Sequence, residues 1–531
     1  MPSESKQLIS ADFPEQVGVD SAGIKELLDD FRNSNIELHS LMILRHGKVA
    51  HECYAAPYGR DIPHTLYSVS KSVTSVAIGF AISEGLISLD SKVIDFFPLY
   101  RPSKPDEKLE KMTVYHLLTM TSGKNVSLIS DKTGKDWVGD FFRSPWYAEP
   151  GEKYRYISEN AYMCCAIIKK VTGMGVIDYL MPRLFEPLGI TRRPFWETDN
   201  NGLEAGGWGL FLTPEELAKF SLCVLNYGKY AGRQVIPEDY IRQATSPHSN
   251  DSANPDDEWR HGYGFLFPMS SIENTPRCDG MFSQFGIMFR GYDAVLVCNC
   301  SEIDEDKTKK CIFRHCPGMF IEETAEKPAS EYDLSLEPLP VLPASDHCIT
   351  EQLLQSKVIR TSKNALLNAV GFPTSMLPLP VVYMSADKSG NIDNIILNFD
   401  GDVCTMIWDE GRDHNIMECG MDGTPRKSVI HLGGADFTAL SSAIWRDYNT
   451  LEIRMRPLES ISERILVIKM NLLKLKAELY PSSVPAVGEM AKSLSYVFTY
   501  TLPQGIRDTA GDIAGKLEKI VDAPIKAKIK L

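Results

Sequence analysis

Apolar residues in the first part of the chain recur at two spacings, one typical of helices and the other of strands. Asp20–Phe31 carries apolar side chains at helical intervals, and Asp20 or Ser21 stands where a helix cap is expected. Residues 40–45 and 49–54 have strand character and flank the polar turn 46–48, which predicts a β-hairpin.

The middle of this segment predicts several helices, each bounded by a cap or a turn signal. A turn at Pro150-Gly151 precedes the third of these helices, and Thr213, Pro214 and Glu216 form a capping-box pattern at the start of the fourth. The predicted helices are 73–82, closed by Gly85, then 113–120, 161–171 and 213–225.

Strand patterns return at residues 263–267, 284–289 and 294–300. A hairpin at the start, helices in the middle and strands at the end predict one α+β domain. Its sheet would combine strands from both ends of the segment.

A second composition begins after a segment rich in Pro, Ser and Glu. We expect a hydrolase-like domain over residues 1–326, a linker over 327–350 and a β-rich domain over 351–531. Alternating patterns predict strands at 392–398, 403–408, 428–432, 451–456 and 464–469. Apolar residues among lysines in 510–531 predict a helical tail.

Composition and charge restrict the class of protein. A hydrophobic content of 43% with 24% charged residues is typical of a soluble globular protein. The net charge of −14 argues against nucleic acid as a partner, because phosphate binding requires a basic surface. The first residues show no signal-like apolar stretch and no segment is long enough to span a membrane, which predicts a cytoplasmic protein.

Two cysteine pairs raise the question of a metal site. Cys298 and Cys300 share one face of a predicted strand, and Cys311 and Cys316 flank His315. Free cysteine usually packs as a small hydrophobic residue, and we expect packing here. We predict no metal and no organic cofactor.

Candidate chemistry begins with serine followed three residues later by lysine. One helical turn places both side chains on the same face, where a lysine amine with a lowered pKa can activate a serine hydroxyl. The chain has three such pairs, Ser3–Lys6, Ser68–Lys71 and Ser385–Lys388. Only Ser68–Lys71 opens a long apolar helix, so we predict Ser68 as the nucleophile and its N–H as an oxyanion donor.

Five ordered motifs carry a resemblance to a known family. They are Ser68-Val69-Ser70-Lys71, Gly85-Leu86-Ile87-Ser88-Leu89-Asp90, the segment 113–123 ending in Thr121-Ser122-Gly123, Pro150-Gly151-Glu152-Lys153-Tyr154-Arg155-Tyr156, and the segment 207–218 beginning Gly207-Trp208-Gly209. Residues 17–300 resemble the serine β-lactamase and penicillin-binding fold, in its class C-like branch of esterases, D-amino peptidases and aminohexanoate-dimer hydrolases. The resemblance implies an antiparallel sheet flanked by helices together with an all-helical part.

The resemblance also implies a second catalytic element. Tyr156 would share protons with Ser68 and Lys71, and its phenol, with an ordinary pKa near 10, would need a nearby cation such as Lys71 to lower that pKa. Ser158 stands where the family has asparagine, while Asn160 lies two residues further on. Either residue could contact the substrate.

The third family element differs in this chain. In place of Lys-Thr-Gly the best match is Cys278-Asp279-Gly280, where the glycine would let substrate approach the strand and the N–H of Met281 would complete the oxyanion hole. Asp279 would repel a substrate carboxylate by on the order of a kcal/mol. A neutral ester or amide fits better than a penicillin.

Aromatic residues offer walls for an apolar pocket, with core packing as an equal alternative. They are Trp146, Tyr147, Trp208 and Phe282. We expect His116 to be a packed helix residue, because the chain has no Gly-x-Ser-x-Gly elbow to support a triad.

These patterns predict a serine hydrolase that cleaves a small ester or amide through an acyl-enzyme. Two alternatives stay open: a catalytically silent scaffold on the same fold, and a β-lactamase or cell-wall D-Ala peptidase. The natural substrate and the oligomeric state do not follow from the sequence.

Overall fold

The computed structural model describes residues 7–104, 106–125, 136–250, 258–322, 324–329, 332–362, 374–377, 390–499, 504–516, 519 and 522–530. The chain divides into two compact units, Met1–Glu337 and Pro338–Leu531.

The N-terminal unit mixes helices and strands. Its helices are α1 Ser21–Asn33, α2 Val69–Ser83, α3 Glu107–Lys111, α4 Val114–Leu118, α5 Trp137–Arg143, α6 Ser158–Thr172, α7 Val176–Leu180, α8 Pro214–Leu225, α9 Glu238–Ala244 and α10 Glu305–His315. Its strands are β1 Ile9–Ser10, β2 Leu38–Arg45, β3 Lys48–Tyr54, β4 His64–Thr65, β5 Phe195–Trp196, β6 Leu210–Leu212, β7 Lys229–Tyr230, β8 Arg233–Gln234, β9 Arg277–Gly280, β10 Gln284–Phe289 and β11 Ala294–Cys300.

The main sheet joins the two ends of this unit, as the sequence predicts. Over the described residues its strand order is β1-β3-β2-β11-β10-β9, and only the β1–β3 pair is parallel. The early strand β2 pairs with the late strand β11, with Met42 opposite Val297. The α+β fold with its antiparallel sheet is confirmed.

Helices cover both faces of this sheet. Ile24, Leu27 and Phe31 of α1 share one core with Ile312 of α10 and with the sheet, while α8 packs against β10 and β11. The cysteines discussed above belong to the same core and are buried, which confirms that they pack as hydrophobic residues; they are Cys298, Cys300, Cys311 and Cys316.

Helix α2 lies inside the unit, with residues 69–81 all buried. Apart from Lys71, its polar side chains are hydroxyls. Ser72 donates to the Leu266 carbonyl at 2.9 Å, and Thr74 donates to the Gly206 carbonyl at 2.9 Å. Because these bonds satisfy its hydroxyls, the helix can be buried on every side.

One strand prediction in this unit is wrong. Residues 263–267 form a compact turn, in which Leu266 adopts a left-handed conformation with a φ of 59°. The Leu266 N–H donates to the Leu118 carbonyl at 2.9 Å. The alternating apolar pattern therefore reflects burial inside a loop, which periodicity alone does not distinguish from a strand.

The C-terminal unit is dominated by strands. Its helices are α11 Thr350–Leu354, α12 Val487–Thr499 and α13 Gln504–Gly515. Its strands are β12 Val358–Thr361, β13 Ile392–Asp400, β14 Val403–Glu410, β15 Asp413–Gly420, β16 Arg426–Leu432, β17 Ala435–Asp447, β18 Thr450–Pro457, β19 Glu463–Asn471, β20 Lys476–Val484 and β21 Ile525–Lys530.

These strands close on themselves. Within the described part of this unit, the order β15-β14-β13-β12-β21-β20-β19-β18-β17 returns to β15 through a pairing of Gly420 with Ser442, and β16 pairs with β17. The result is a barrel of nine strands. The predicted β-rich character of this domain, including all five predicted strands, is confirmed.

The predicted helical tail is confirmed only up to Gly515 and is wrong for residues 525–530. Ile525–Lys530 is strand β21, and α13 ends at Gly515. In β21 the alternation of apolar residues with lysine buries Ala527 and Ile529 and exposes the lysines. A period of two is the strand pattern, and pairing with β12 and β20 decided the outcome.

Among the described residues, no helix is both long and apolar enough to cross a membrane.

Gly280 permits a close approach that positions the start of α2. A Cβ atom built at Gly280 would overlap with the carbonyl oxygen of Leu66, two residues before Ser68. Packing of β9 against the segment before α2 therefore requires this glycine, and its role in substrate approach stays a prediction.

We expect Gly280→Ala to lower the free energy of unfolding by about 1–3 kcal/mol, because the overlap must be relieved by moving backbone. Gly291→Ala is the matched control, in the turn that connects β10 and β11 of the same sheet. A Cβ there meets open space, so its effect should stay within about 0.5 kcal/mol. Urea denaturation of both variants checks this, and equal midpoints would contradict the explanation.

Candidate active site

A tight turn between a strand and a helix presents Ser68. The Leu66 N–H donates to the Leu210 carbonyl at 2.9 Å, Tyr67 adopts a φ of 44°, and Ser68 is the N-terminal cap of α2. Ser70 locks this turn by donating to the Tyr67 carbonyl at 2.6 Å. Ser68 itself is half-buried, so its hydroxyl sits at the first turn of a helix yet stays accessible.

The Lys71 amine has three oxygen neighbours. Its Nζ lies 2.9 Å from Ser68 Oγ, 3.1 Å from Ser158 Oγ and 2.7 Å from the Gly207 carbonyl oxygen. Burial lowers the pKa of the Lys71 amine to about 7, although the Glu159 carboxylate acts in the opposite direction. The two other Ser-x-x-Lys pairs, Ser3–Lys6 and Ser385–Lys388, lie outside the described residues.

The neutral Lys71 amine can accept a proton from one of its three neighbours. It has two hydrogens to donate and one lone pair. The Gly207 carbonyl can only accept, and the Ser158 hydroxyl can accept the second hydrogen. The lone pair then faces the Ser68 hydroxyl, so the geometry allows Lys71 to receive the Ser68 proton.

Tyr156 completes this cluster from the extended segment before α6. Its hydroxyl hydrogen-bonds with the Ser68 side chain, and the Lys71 Nζ lies 4.6 Å from the centre of its ring. The expected lowering of the phenol pKa is wrong. Burial raises the pKa of Tyr156, and the Asp279 and Glu305 carboxylates raise it further, so the phenol stays neutral.

Ser158 and Asn160 separate on α6. Ser158 faces Lys71, whereas Asn160 is fully buried and its amide contacts Met120 Sδ at 3.4 Å. Residues two apart on a helix point in different directions, which explains the split. Asn160 is thus a packed residue, and its predicted contact with substrate is not supported.

Trp208 follows the carbonyl that holds Lys71. Its indole is 9% exposed and lies 5.8 Å from the ring of Trp137, centre to centre. A Cβ at Gly207 would come within 2.8 Å of Ser158, so this glycine allows the loop to reach α6. Trp208 is next to the cluster in sequence but mostly enclosed.

The burial and charge pairing of Asp279 differ from what the sequence predicts. It is 4% exposed, and both carboxylate oxygens accept from Arg277 Nε, at 2.9 and 2.8 Å. The Lys309 ammonium lies 4.0 Å from Asp279 and 2.9 Å from Asp306. The predicted repulsion of a substrate carboxylate is therefore wrong, because two cations from β9 and α10 neutralise this charge.

The turn after β9 carries the other predicted residues. Phe282 is 1% exposed and packs edge-on against Tyr67, with ring centres 5.1 Å apart. It belongs to the core and not to a pocket wall. Met281 is half-buried in the same turn, and its N–H as an oxyanion donor stays a prediction.

Trp146 and Tyr147 lie in the loop that follows α5, and the ring of each contacts a cationic side chain. The Lys124 Nζ lies 3.8 Å from the ring centre of Trp146, whose indole N–H donates to Asp106 at 3.1 Å. Tyr147 is 36% exposed, with the Arg155 guanidinium 4.7 Å from its ring. Their role as pocket walls stays a prediction.

His116 has the structural role expected of it. Its Nδ1 accepts from the Thr113 N–H at 3.0 Å and so caps its own helix α4. In the described part of the chain, no group of three or more His, Cys, Asp and Glu side chains is arranged to hold a metal ion.

Sequence reasoning missed Trp259. This half-buried indole lies 5.1 Å from the Tyr156 ring, with Arg277 and Lys309 at 5.8 and 5.9 Å from its own ring centre. The recognisable feature of the sequence nearest to Trp259 is the Gly262-Tyr263-Gly264 turn that follows it. The Gly207 carbonyl was also missed, because backbone groups carry no signature in sequence.

Known proteins share this fold and these motifs. The β-lactamase family matches residues 27–302, just over half of the chain. A 6-aminohexanoate-dimer hydrolase of Paenarthrobacter ureafaciens is 23% identical over 45% of this chain and 64% of its own length. The esterase EstB of Burkholderia gladioli is 24% identical over 33% of this chain and 53% of its own length.

A solved penicillin-binding protein homologue of Caulobacter crescentus is 15% identical and covers 56% of this chain and 97% of its own, with a TM-score of 0.46. The chain thus spans about half to two thirds of the length of the two curated relatives named above. Through residues 27–302, the chain belongs to the β-lactamase family.

Proposed function

We propose that this protein is a serine hydrolase that cleaves an ester or amide through a covalent acyl-enzyme on Ser68. One observation carries the proposal: a lysine amine with a pKa of about 7 lies 2.9 Å from the Ser68 hydroxyl. Membership of the β-lactamase family and relatives named as hydrolase and esterase support it.

Acylation begins with the neutral Lys71 amine. The amine takes the Ser68 proton while Oγ bonds to the substrate carbonyl carbon, and the carbonyl oxygen becomes an oxyanion. The N–H groups of Ser68 and Met281 stabilise that oxyanion. As the carbonyl–leaving group bond breaks, the Lys71 ammonium gives a proton to the Tyr156 hydroxyl, which donates its own proton to the departing alcohol or amine.

Deacylation runs the same proton path in reverse. A water molecule gives a proton to the neutral Lys71–Tyr156 pair and attacks the acyl carbon. The second oxyanion collapses, the acid is released and Ser68 Oγ regains a proton. Tyr156 acts throughout as a neutral phenol that accepts one proton while donating another, since its raised pKa disfavours a phenolate.

The substrate class rests on what surrounds the cluster. Trp259, whose ring lies 5.1 Å from the ring of Tyr156, offers a half-buried aromatic surface suited to an apolar acyl or alcohol group. The Lys309 ammonium is buried and paired with Asp306 and Asp279, so it offers little to a substrate carboxylate. A small neutral ester or amide is the substrate that this environment favours.

We expect a fluorophosphonate probe to label the wild-type chain at Ser68. The Ser68→Ala variant should lose this labelling and should no longer hydrolyse p-nitrophenyl esters of varied chain length. Ser83→Ala is the matched control, because Ser83 lies at the far end of the same helix and bonds only locally to the Phe80 carbonyl at 2.9 Å. Hydrolysis that persists in Ser68→Ala would reject the mechanism, and an unlabelled, inactive wild type would favour a silent scaffold. Strong capture of a labelled penicillin at Ser68 would favour the β-lactamase alternative.

We expect the rate to rise with pH through about 7, because the reactive form of Lys71 is the neutral amine and its pKa is about 7. In Lys71→Arg the guanidinium stays protonated, so the rate should fall by about 10²–10⁴ at every pH. Lys169→Arg on the exposed side of α6 is the control and should keep the wild-type profile. A rate independent of pH across this range would contradict the assignment of Lys71 as the base.

We expect Trp259→Ala to raise KM for apolar esters about tenfold or more, because the indole wall is lost, while Trp259→Phe keeps most of the affinity. Steady-state kinetics with short and long acyl chains checks this. The effect should grow with chain length, and an effect that is equal for all chains would argue that Trp259 supports Tyr156 and does not contact substrate.

A further inference from the structure

A chain of hydrogen bonds lies behind the nucleophile turn, apart from the cluster around Lys71. His39 Nε2 is 3.0 Å from Glu37 Oε1, and His39 Nδ1 is 3.0 Å from His64 Nε2. His64 Nδ1 is 3.0 Å from the Thr65 carbonyl oxygen. Both imidazoles are buried, whereas the Glu37 side chain is 30% exposed.

These three contacts require three hydrogens. The Thr65 carbonyl only accepts, so His64 Nδ1 carries a hydrogen. If His64 is neutral, its Nε2 accepts, and His39 Nδ1 must carry a hydrogen. His39 Nε2 then faces a carboxylate oxygen, and that contact needs a hydrogen as well. Two neutral imidazoles and an ionised carboxylate hold only two, so one more proton is required.

The surroundings indicate where this proton resides. Burial, together with the neighbouring His39, lowers the pKa of His64 to about 3, so His64 stays neutral. His39 lies next to the Glu37 carboxylate, and the Tyr58 ring stacks on it at 3.9 Å with a tilt of 14°. An aromatic face and a carboxylate both favour an imidazolium.

Other titratable groups face this chain from neighbouring elements. Burial raises the pKa of the Cys300 thiol on β11, and the Glu37 and Glu302 carboxylates add to that. Burial also raises the pKa of the Tyr67 phenol, with smaller effects from the Glu197 carboxylate and from Tyr58. The Cys300 thiol and the Tyr67 phenol therefore remain neutral at neutral pH. The Tyr58 ring stacks on His39, and the Glu302 carboxylate is paired with Lys307.

We propose that Glu37, His39 and His64 hold one buried proton as a Glu37–His39 ion pair, and that this pair positions the segment Thr65–Ser68. The second part rests on the proposed function of Ser68. His39 and His64 are positioning residues, because they contact neither substrate nor the reacting atoms.

The link to Ser68 is short and rigid. His64 and Thr65 form strand β4, which pairs with β6, and Leu66 continues that pairing by donating to the Leu210 carbonyl at 2.9 Å. Ser68 follows two residues later. Loss of the extra proton at alkaline pH would set the His39 Nε2 lone pair against a carboxylate oxygen at 3.0 Å. The repulsion would loosen β4 and lower turnover.

The full chain labelled with ¹⁵N- and ¹³C-histidine tests the proton directly. Long-range ¹H–¹⁵N spectra separate an imidazolium from the two neutral tautomers, and His39→Gln and His64→Gln assign the signals. At neutral pH we expect an imidazolium at His39 and the Nδ1–H tautomer at His64. A neutral His39, or an Nε2–H tautomer at His64, would overturn the proposal.

Glu37→Gln tests the link to activity. The glutamine amide can donate to a neutral His39 Nε2, so the chain is satisfied without the extra proton. We expect the protonated fraction of His39 at neutral pH to fall about tenfold, and the loss of rate at alkaline pH to disappear. Asp293→Asn makes the same change beside the exposed His46, 2.9 Å away, and should alter neither result.

The outcomes of the two proposals can be told apart. A neutral wild-type His39 in an enzyme that depends on Ser68 overturns only this inference. An imidazolium at His39 in a protein whose Ser68→Ala variant keeps full activity supports the proton site and overturns the proposed function. An alkaline loss of rate that is unchanged in Glu37→Gln overturns the positioning role. If Glu37→Gln does not fold, the wild-type spectra still decide whether the proton is present.

Discussion

A lysine amine held out of water beside a serine hydroxyl is the interaction around which the N-terminal unit is arranged. Its pKa falls from 10.5 to about 7, which disfavours the ammonium form by on the order of 5 kcal/mol. Such an amine is kept in place only if its hydrogens find acceptors, and these come from Gly207 and Ser158 on separate segments. The meeting of α2, α6 and the loop before β6 is therefore a chemical requirement as well as a packing solution.

The same requirement explains why α2 is buried on every side. A helix at the centre of a unit has no face toward water, so each of its polar side chains needs a hydrogen-bond partner inside the protein. Ser70, Ser72 and Thr74 meet this condition by donating to backbone carbonyls of neighbouring turns. The close approach of β9 at Gly280 then holds the start of the helix.

Two buried charge clusters lie near the turn that carries Ser68. In each, the protonation and charge of a side chain depend on its neighbours. The sequence alone presents Asp279 as an unpaired negative charge, whereas in the structure it is buried and paired with Arg277 and Lys309. Glu37, His39 and His64 behave likewise, since their protonation follows from the chain of contacts and not from any one side chain. In both cases desolvation makes pairing decisive.

The sequence by itself determined the local features: the capped helices α1 and α8, the β2–β3 hairpin, the strand-rich C-terminal unit and the Ser68–Lys71 spacing that one helical turn brings together. It did not separate a buried turn at 263–267 from a strand, or a terminal strand at 525–530 from a helix, because both choices depend on distant partners. Other features depend on the tertiary structure. Ser158 lies at Lys71 while Asn160 points away from it. Burial raises the pKa of Tyr156, Asp279 is paired with Arg277, and Trp259 lies beside Tyr156. The physical reason is that spacing along a helix or strand is set by backbone geometry, whereas burial and charge pairing are set by residues far apart in the chain.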